Sequence, residues 1–176
     1  KQTGRRTLPA PPDGCILFQC IGWLCDEDNQ VHALSASGPN YGRRQVELHG
    51  DYAKSLAHSA AGFLADQVRE DGSFLYGMDP RFDRELDDYN MVRHAGAVWS
   101  LLCAYRLAPE EALAEKIDKS IAYLLDAVVY DAQGCAYLYE AKQDEIKLGG
   151  CALAVAALTE YMDVFQSKTH QEVCTA

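Results

Sequence analysis

The sequence has no uninterrupted apolar stretch near the roughly 20 residues that a membrane-spanning helix requires, so a membrane is not an expected partner. It also lacks any excess of positive charge. Sixteen Lys and Arg stand against twenty-six Asp and Glu in 176 residues, a formal net charge of −10. Nucleic acid, which is held through clustered Lys and Arg, is therefore not expected either. No phosphate loop, dinucleotide fingerprint, G-x-S-x-G elbow or H-E-x-x-H is present, and the enzyme classes built on those motifs lose support. Histidine is scarce: His32, His49, His58, His94 and His170 show no metal-like spacing. Cysteine is not scarce, but Cys15, Cys20 and Cys25 recur at five-residue spacing and lack the C-x₂₋₄-C pairing of a zinc site. No metal and no cofactor are expected. Seven cysteines, an odd number, read as packed free thiols, which points to a reducing, cytoplasmic compartment.

What is present is ordinary globular material. Hydrophobic residues make up 48% and charged residues 24%, enough for one compact soluble domain or one plus an appendage. Residues 1–14 are basic and Pro-rich and are expected to form an extended arm. Residues 15–47 hold two apolar runs around the polar tetrapeptide Asp26-Glu27-Asp28-Asn29, followed by the loop-like SASGPNYG, and predict a β-hairpin-like segment. From there the apolar period becomes helical. Helices are expected over about 48–70, 88–107, 109–128 and 147–166, with residues 168–176 a frayed tail. Asp87 or Asp88 is placed to cap the second helix, and Pro109 to open the third with Glu110 and Glu111 loading its first turn.

Residues 48–167 also repeat. AGFLAD (61–66) and IAYLLD (121–126) are each followed by an acid, a glycine and an aromatic cluster: Phe74-Leu75-Tyr76 in one copy, Tyr137-Leu138-Tyr139 in the other. Each cluster leads to a second helix that opens on an apolar residue and a cation, with Arg93 aligned on Lys147. Glycine inside a helix costs about 0.5–1 kcal/mol relative to Ala, so Gly96, Gly149 and Gly150 imply close approach by a neighbour. The reading is an outer helix, an aromatic-clamped turn and an inner helix, twice.

The segments FLADQVREDGSFLY (63–76), DDYNMVRHAGAVWSLLCAYR (87–106) and IKLGGCALAVAALTEY (146–161) resemble the αα-hairpins of the (α/α) toroid proteins. That group includes terpenoid cyclases, protein prenyltransferase β subunits and the six-hairpin glycoside-processing enzymes. The first segment is similar to the QxxDGSW repeat of the cyclases, with one extra residue between Gln67 and Asp71 and Phe74 in place of Trp; the cyclase DxDD acid motif is absent. The resemblance implies a mainly α fold, αα-hairpin repeats of a partial (α/α) toroid with a short N-terminal β-hairpin-like segment. Two hairpins do not close a ring. The chain is expected to be a fragment, with the remainder of the toroid supplied by missing chain or a partner.

The densest functional-looking stretch is Asp87-Asp88-Tyr89-Asn90-Met91-Val92-Arg93-His94, at the entry to an inner helix, the end that lines the cavity in the toroids it resembles. His94 titrates near neutrality when unperturbed and is the leading general acid/base candidate, with Asp87 and Asp88 as a candidate carboxylate pair. Tyr76, Tyr89, Asn90, Arg93, Trp99, Tyr139 and Lys147 are candidate substrate-binding residues: tyrosines and Trp99 to stack on sugar rings, Arg93 to fork a carboxylate. The structural alternatives carry equal weight. Asp88 is also a natural N-cap, His94 a candidate satisfied core histidine, and Glu140 a loop acid. Two functions follow: a glycan-processing toroid enzyme (hydrolase, lyase or epimerase) acting on an oligosaccharide or other small polar ligand, or a non-catalytic helical-repeat binding or scaffold module of a larger protein. Terpenoid cyclase-like or prenyltransferase-like chemistry would need an acid motif or zinc site that the sequence lacks.

Overall fold

The computed structural model describes residues 20–44 and 46–176. The arm expected over 1–14, and Cys15, lie outside the described residues. The chain divides into two compact units between His49 and Gly50.

In the first unit, β1 (Trp23–Cys25) pairs antiparallel with β2 (Val31–Ala33), Leu24 opposite His32. The polar tetrapeptide turns the chain as expected. Asp26 Oδ1 accepts the amides of Asp28 and Gln30 at 3.1 and 2.8 Å, and Asn29 takes the left-handed φ of 59° that Asn tolerates. His32 Nε2 donates to Asp26 Oδ2 at 2.6 Å, and this bond holds the Asp26 carboxyl below the usual range.

The second unit is helical with small antiparallel sheets. Its helices are α1 (Gly50–Asp66), α2 (Met91–Leu107), α3 (Glu111–Asp126), α4 (Leu148–Val164) and the short α5 (Gln171–Thr175). Between α1 and α2 lie the paired strands β3 (Met78–Asp79) and β4 (Arg84–Glu85); between α3 and α4 lies the sheet β5 (Val128–Tyr130), β6 (Ala136–Glu140), β7 (Glu145–Ile146). α1 and α3 end earlier than their apolar periods suggested, because the chain leaves each one into a bridge or a strand. Val68 bridges Phe74 directly after α1, and Val128 enters β5 directly after α3. The tail also differs from expectation: α5 lays Val173 and Cys174 against the core.

Both connections use the same devices. Asp71 Oδ1 accepts the Ser73 amide at 3.0 Å and Asp131 Oδ1 accepts the amides of Gln133 and Cys135 at 2.9 Å, each beside a glycine of positive φ, Gly72 or Gly134. The following hairpin tips place Asp83 and Asp144 at φ 47° and 52°.

The core centres on α2, which packs against α1, α3 and α4. Val98, Leu101 and Leu102 of α2 meet Ile117 and Leu124 of α3 and Leu158 of α4, all fully buried. Arg106, near the end of α2, donates to Glu160 at 2.7 Å and to Asp163, both near the end of α4. The two helix starts also meet, as described below, so α2 and α4 lie side by side and run the same way. The glycines contribute less than expected. A Cβ on Gly150 would sit 3.5 Å from Val92 and one on Gly96 3.7 Å from Leu153, ordinary contacts, while Gly149 faces open space.

Gly72 is different. A Cβ there would lie 2.1 Å from the Lys119 carbonyl oxygen, at a φ of 85° that already disfavours L residues. Gly134 has a φ of 86° with nothing within 4 Å. In chemical denaturation, Gly72→Ala is expected to lose well over ~2 kcal/mol, as the loop pulls away from α3, and Gly134→Ala about 1 kcal/mol. Equal losses would mean that the Gly72 loop does not press on α3.

Candidate functional site

The starts of α2 and α4 are joined by a buried carboxylate. Glu140, at the end of β6, is 4% exposed. Its Oε1 accepts the Met91 amide of the first turn of α2 at 3.1 Å, and its Oε2 accepts from Lys147 Nζ at 2.7 Å. Lys147 is the N-cap residue of α4, and its ammonium also reaches Glu145 at 2.7 Å. Glu140, then Glu145, push the Lys147 pKa up. A carboxylate at a helix start is favourable twice over, as hydrogen-bond acceptor and as counter-charge to the helix dipole. Sequence reasoning weighed Glu140 as a loop acid. The available signal was its place two residues beyond the buried Leu138, the alternation of a strand with one face inward.

The aligned cations do not occupy equivalent places. Asn90, not Asp88, caps α2, its Oδ1 accepting the Arg93 amide at 3.1 Å, so Arg93 lies inside the helix whereas Lys147 stands outside its own. The alignment failed because the first turns, rather than the cations, correspond.

His94 is 2% exposed and bonded at both ring nitrogens. Nε2 donates to the Ser120 carbonyl at 2.9 Å, which leaves Nδ1 to accept the Tyr89 hydroxyl at 2.7 Å; Tyr89 Oη in turn accepts the Phe74 amide at 2.8 Å. The chain Phe74–Tyr89–His94–Ser120 ties the turn after α1, the entry loop, α2 and α3 together. Rings of Phe74 and Tyr123 pack on the imidazole at 5.2 and 5.1 Å. Burial lowers the His94 pKa to about 4 and raises that of Tyr89 to about 12, so near neutrality both are uncharged and every proton in the chain is assigned. A general acid/base needs a free nitrogen facing substrate. His94 offers none.

The remaining candidates separate. Asp87 is fully exposed and paired with Lys142 Nζ at 2.6 Å, which holds its carboxyl low; Asp88 accepts the Tyr89 amide at 2.8 Å and Gln143 Nε2 at 3.1 Å. Tyr139 donates to Asp144 at 2.8 Å and lines a different hollow, of about 460 Å³, which Tyr89 also borders. Trp99 is 41% exposed on α2 and lines neither hollow. Five candidates do come together. Tyr76, Tyr89, Asn90, Arg93 and the buried His94 border one groove of about 620 Å³, with the Arg93 guanidinium 4.9 Å above the Tyr76 ring. Lys147, Asp87 and Asp88 are not among its walls. Among the described residues no three potential metal ligands converge.

Comparisons of this chain with protein families, with curated proteins and with solved structures return no match.

Two outcomes follow from this geometry. Glu140→Ala strands the Met91 amide and loosens Lys147, and is expected to cost about 2–4 kcal/mol in urea denaturation. Lys147→Ala leaves the buried carboxylate without its ammonium, so the double variant should lose clearly less than the sum of the single ones; simple additivity would mean the two residues act independently. His94 sets a pH dependence. Between pH 6.5 and about 4 the unfolded imidazole binds a proton that the folded one refuses, so its contribution is complete above 6.5 and declines by on the order of 3 kcal/mol as the pH falls to about 4. His170, lowered by partial burial, adds in the same direction. His94→Gln should flatten most of that slope; an unchanged slope would place the titrating group elsewhere.

Proposed function

We propose that this chain is a non-catalytic helical-hairpin binding or scaffold module of the partial (α/α) toroid kind, in which further chain or a partner supplies the neighbouring hairpins. The observation that carries this reading is how the chemically capable side chains are used. Glu140, Lys147, His94 and Tyr89 are bonded to one another or to backbone, and Asp87 and Asp88 tie the entry loop to Lys142 and Gln143. These contacts fix loops to helix starts and leave no poised acid–base pair. The surfaces support the same reading. α1 buries no residue although it carries Leu56 and Phe63, and α4 has no charge from Leu148 to Thr159, with Leu148 86% and Val155 45% exposed. A helix apolar on all sides is normally covered on all sides.

A glycan-processing enzyme is the second reading, favoured by the convergence of Tyr76, Tyr89, Asn90, Arg93 and His94 on one groove. His94→Gln separates the two. The module reading expects a clear drop in thermal midpoint and no turnover of an oligosaccharide panel by the unsubstituted protein. Turnover that the substitution abolishes while the thermal midpoint stays unchanged would establish the enzyme instead.

A further inference from the structure

We propose that the groove between α1, the Phe74–Met78 segment and the first turns of α2 binds an amphipathic monocarboxylate, an anionic head on an apolar ring or chain. This goes beyond the module reading and holds whether or not the chain is catalytic.

The first argument is charge. No Asp or Glu lines the groove, and Arg93 is the formally charged side chain in its wall. Several other cations are spent on carboxylates: Arg69 on Glu85, Arg106 on Glu160 and Asp163, Lys119 on Glu70, Lys142 on Asp87; Arg81 and Arg84, over the Phe82 ring, are not, but they do not line the groove. In a chain with twenty-six acids against sixteen bases, the Arg93 guanidinium has no ion-pair partner among the described residues. It rests instead on the Tyr76 ring, which orients its plane without using its donors. A planar five-donor fork held in place beside an apolar wall matches a carboxylate bidentately.

The second argument is what the wall lacks. Of its other polar side chains, Tyr89 and His94 are engaged with one another and with backbone, and Gln67 and Asn90 through one end of their amides. Gln67 Nε2 donates to the Phe63 carbonyl at 3.2 Å, the Asn90 oxygen caps α2, and Tyr89 Oη sits between the Phe74 amide and His94. A sugar needs several partners around its ring, and few remain. Phe63 (70% exposed), Leu75, Met78 and Ala97 instead offer apolar surface whose covering would release water. The volume of about 620 Å³ suits a small-molecule ligand. One head group and a hydrocarbon body match the guanidinium and the apolar wall of the groove.

The test uses the full chain with three probes: naphthalene-2-carboxylate, decanoate, and naphthalene-2-carboxamide as the uncharged isostere of the first. Calorimetry and NMR shift mapping are the readouts. At least one carboxylate is expected to bind, with shifts at Arg93 and Ala97, and the two carboxylates distinguish a ring-bearing from a chain-bearing ligand. If the ring is preferred, the carboxamide should bind roughly tenfold weaker or worse. For whichever carboxylate binds, Arg93→Gln should lower affinity by a similar factor, and added salt should weaken binding in the unsubstituted protein only. Ala97→Leu, which narrows the groove without touching its charge, should weaken carboxylate and carboxamide alike. The proposal is overturned if neither carboxylate binds at millimolar concentration, if Arg93→Gln leaves affinity unchanged, or if shifts map to the other α1 groove, beside Lys54 and Lys116.

Discussion

Glu140 lies where two helix starts, one strand end and one ammonium meet, and the order of the helical unit follows from satisfying it. A carboxylate this deeply buried is strongly unfavourable unless its oxygens are occupied. One oxygen takes the first-turn amide of α2 and the other takes Lys147 at the cap of α4. Both helix starts are thereby brought to one point at the end of β6. At the far end Arg106 holds Glu160 and Asp163, so the pair is tied at both ends and parallel between them. The apolar surface in between (Val98, Leu101, Leu102, Leu158) supplies the larger share of stabilisation but is not directional. The carboxylate sets the register.

His94 does for α2 and α3 what Glu140 does for α2 and α4. Its ring spans from the entry loop to the Ser120 carbonyl in the middle of α3, and its neutrality is a consequence of burial. At the start of α2, Tyr89 and His94 are closed on one another and on backbone, whereas Arg93, on the same groove, stands on Tyr76 with no ion-pair partner among the described residues. The hydrogen bonds of Tyr89 and His94 tie loop to helices, and the Arg93 guanidinium makes no such tie.

Much of this was legible in the sequence. The period of Leu56, Ala60 and Phe63, and those of Val98, Leu102 and Tyr105 and of Ile117, Ile121 and Leu124, placed the helices, and the polar tetrapeptide placed the β1–β2 turn. The D/G turns were found because Asp side chains and positive-φ glycines have no common substitute there. What escaped was whatever depends on tertiary partners. Short strands such as Met78–Asp79 and Arg84–Glu85 are too brief for an alternating pattern to declare itself. Asp88 and Asn90 are both good caps, and only the backbone at the helix entry decides between them. Glu140 and Glu145 read alike in the sequence, yet one is buried and the other exposed, because strand alternation turns Glu140 inward beneath α2. Lys147 looked equivalent to Arg93 because both precede small residues, although one stands before its helix and the other within it.

Native-state amide hydrogen exchange at Met91 tests the role of Glu140 most directly. An N-terminal helix amide normally has no partner and exchanges readily. Here the account expects Met91 to be protected to a degree comparable with Val98 in the middle of α2, and to lose that protection in Glu140→Ala while Val98 keeps most of its own. Free exchange at Met91 in the unsubstituted protein, or protection that survives removal of the carboxylate, would contradict it.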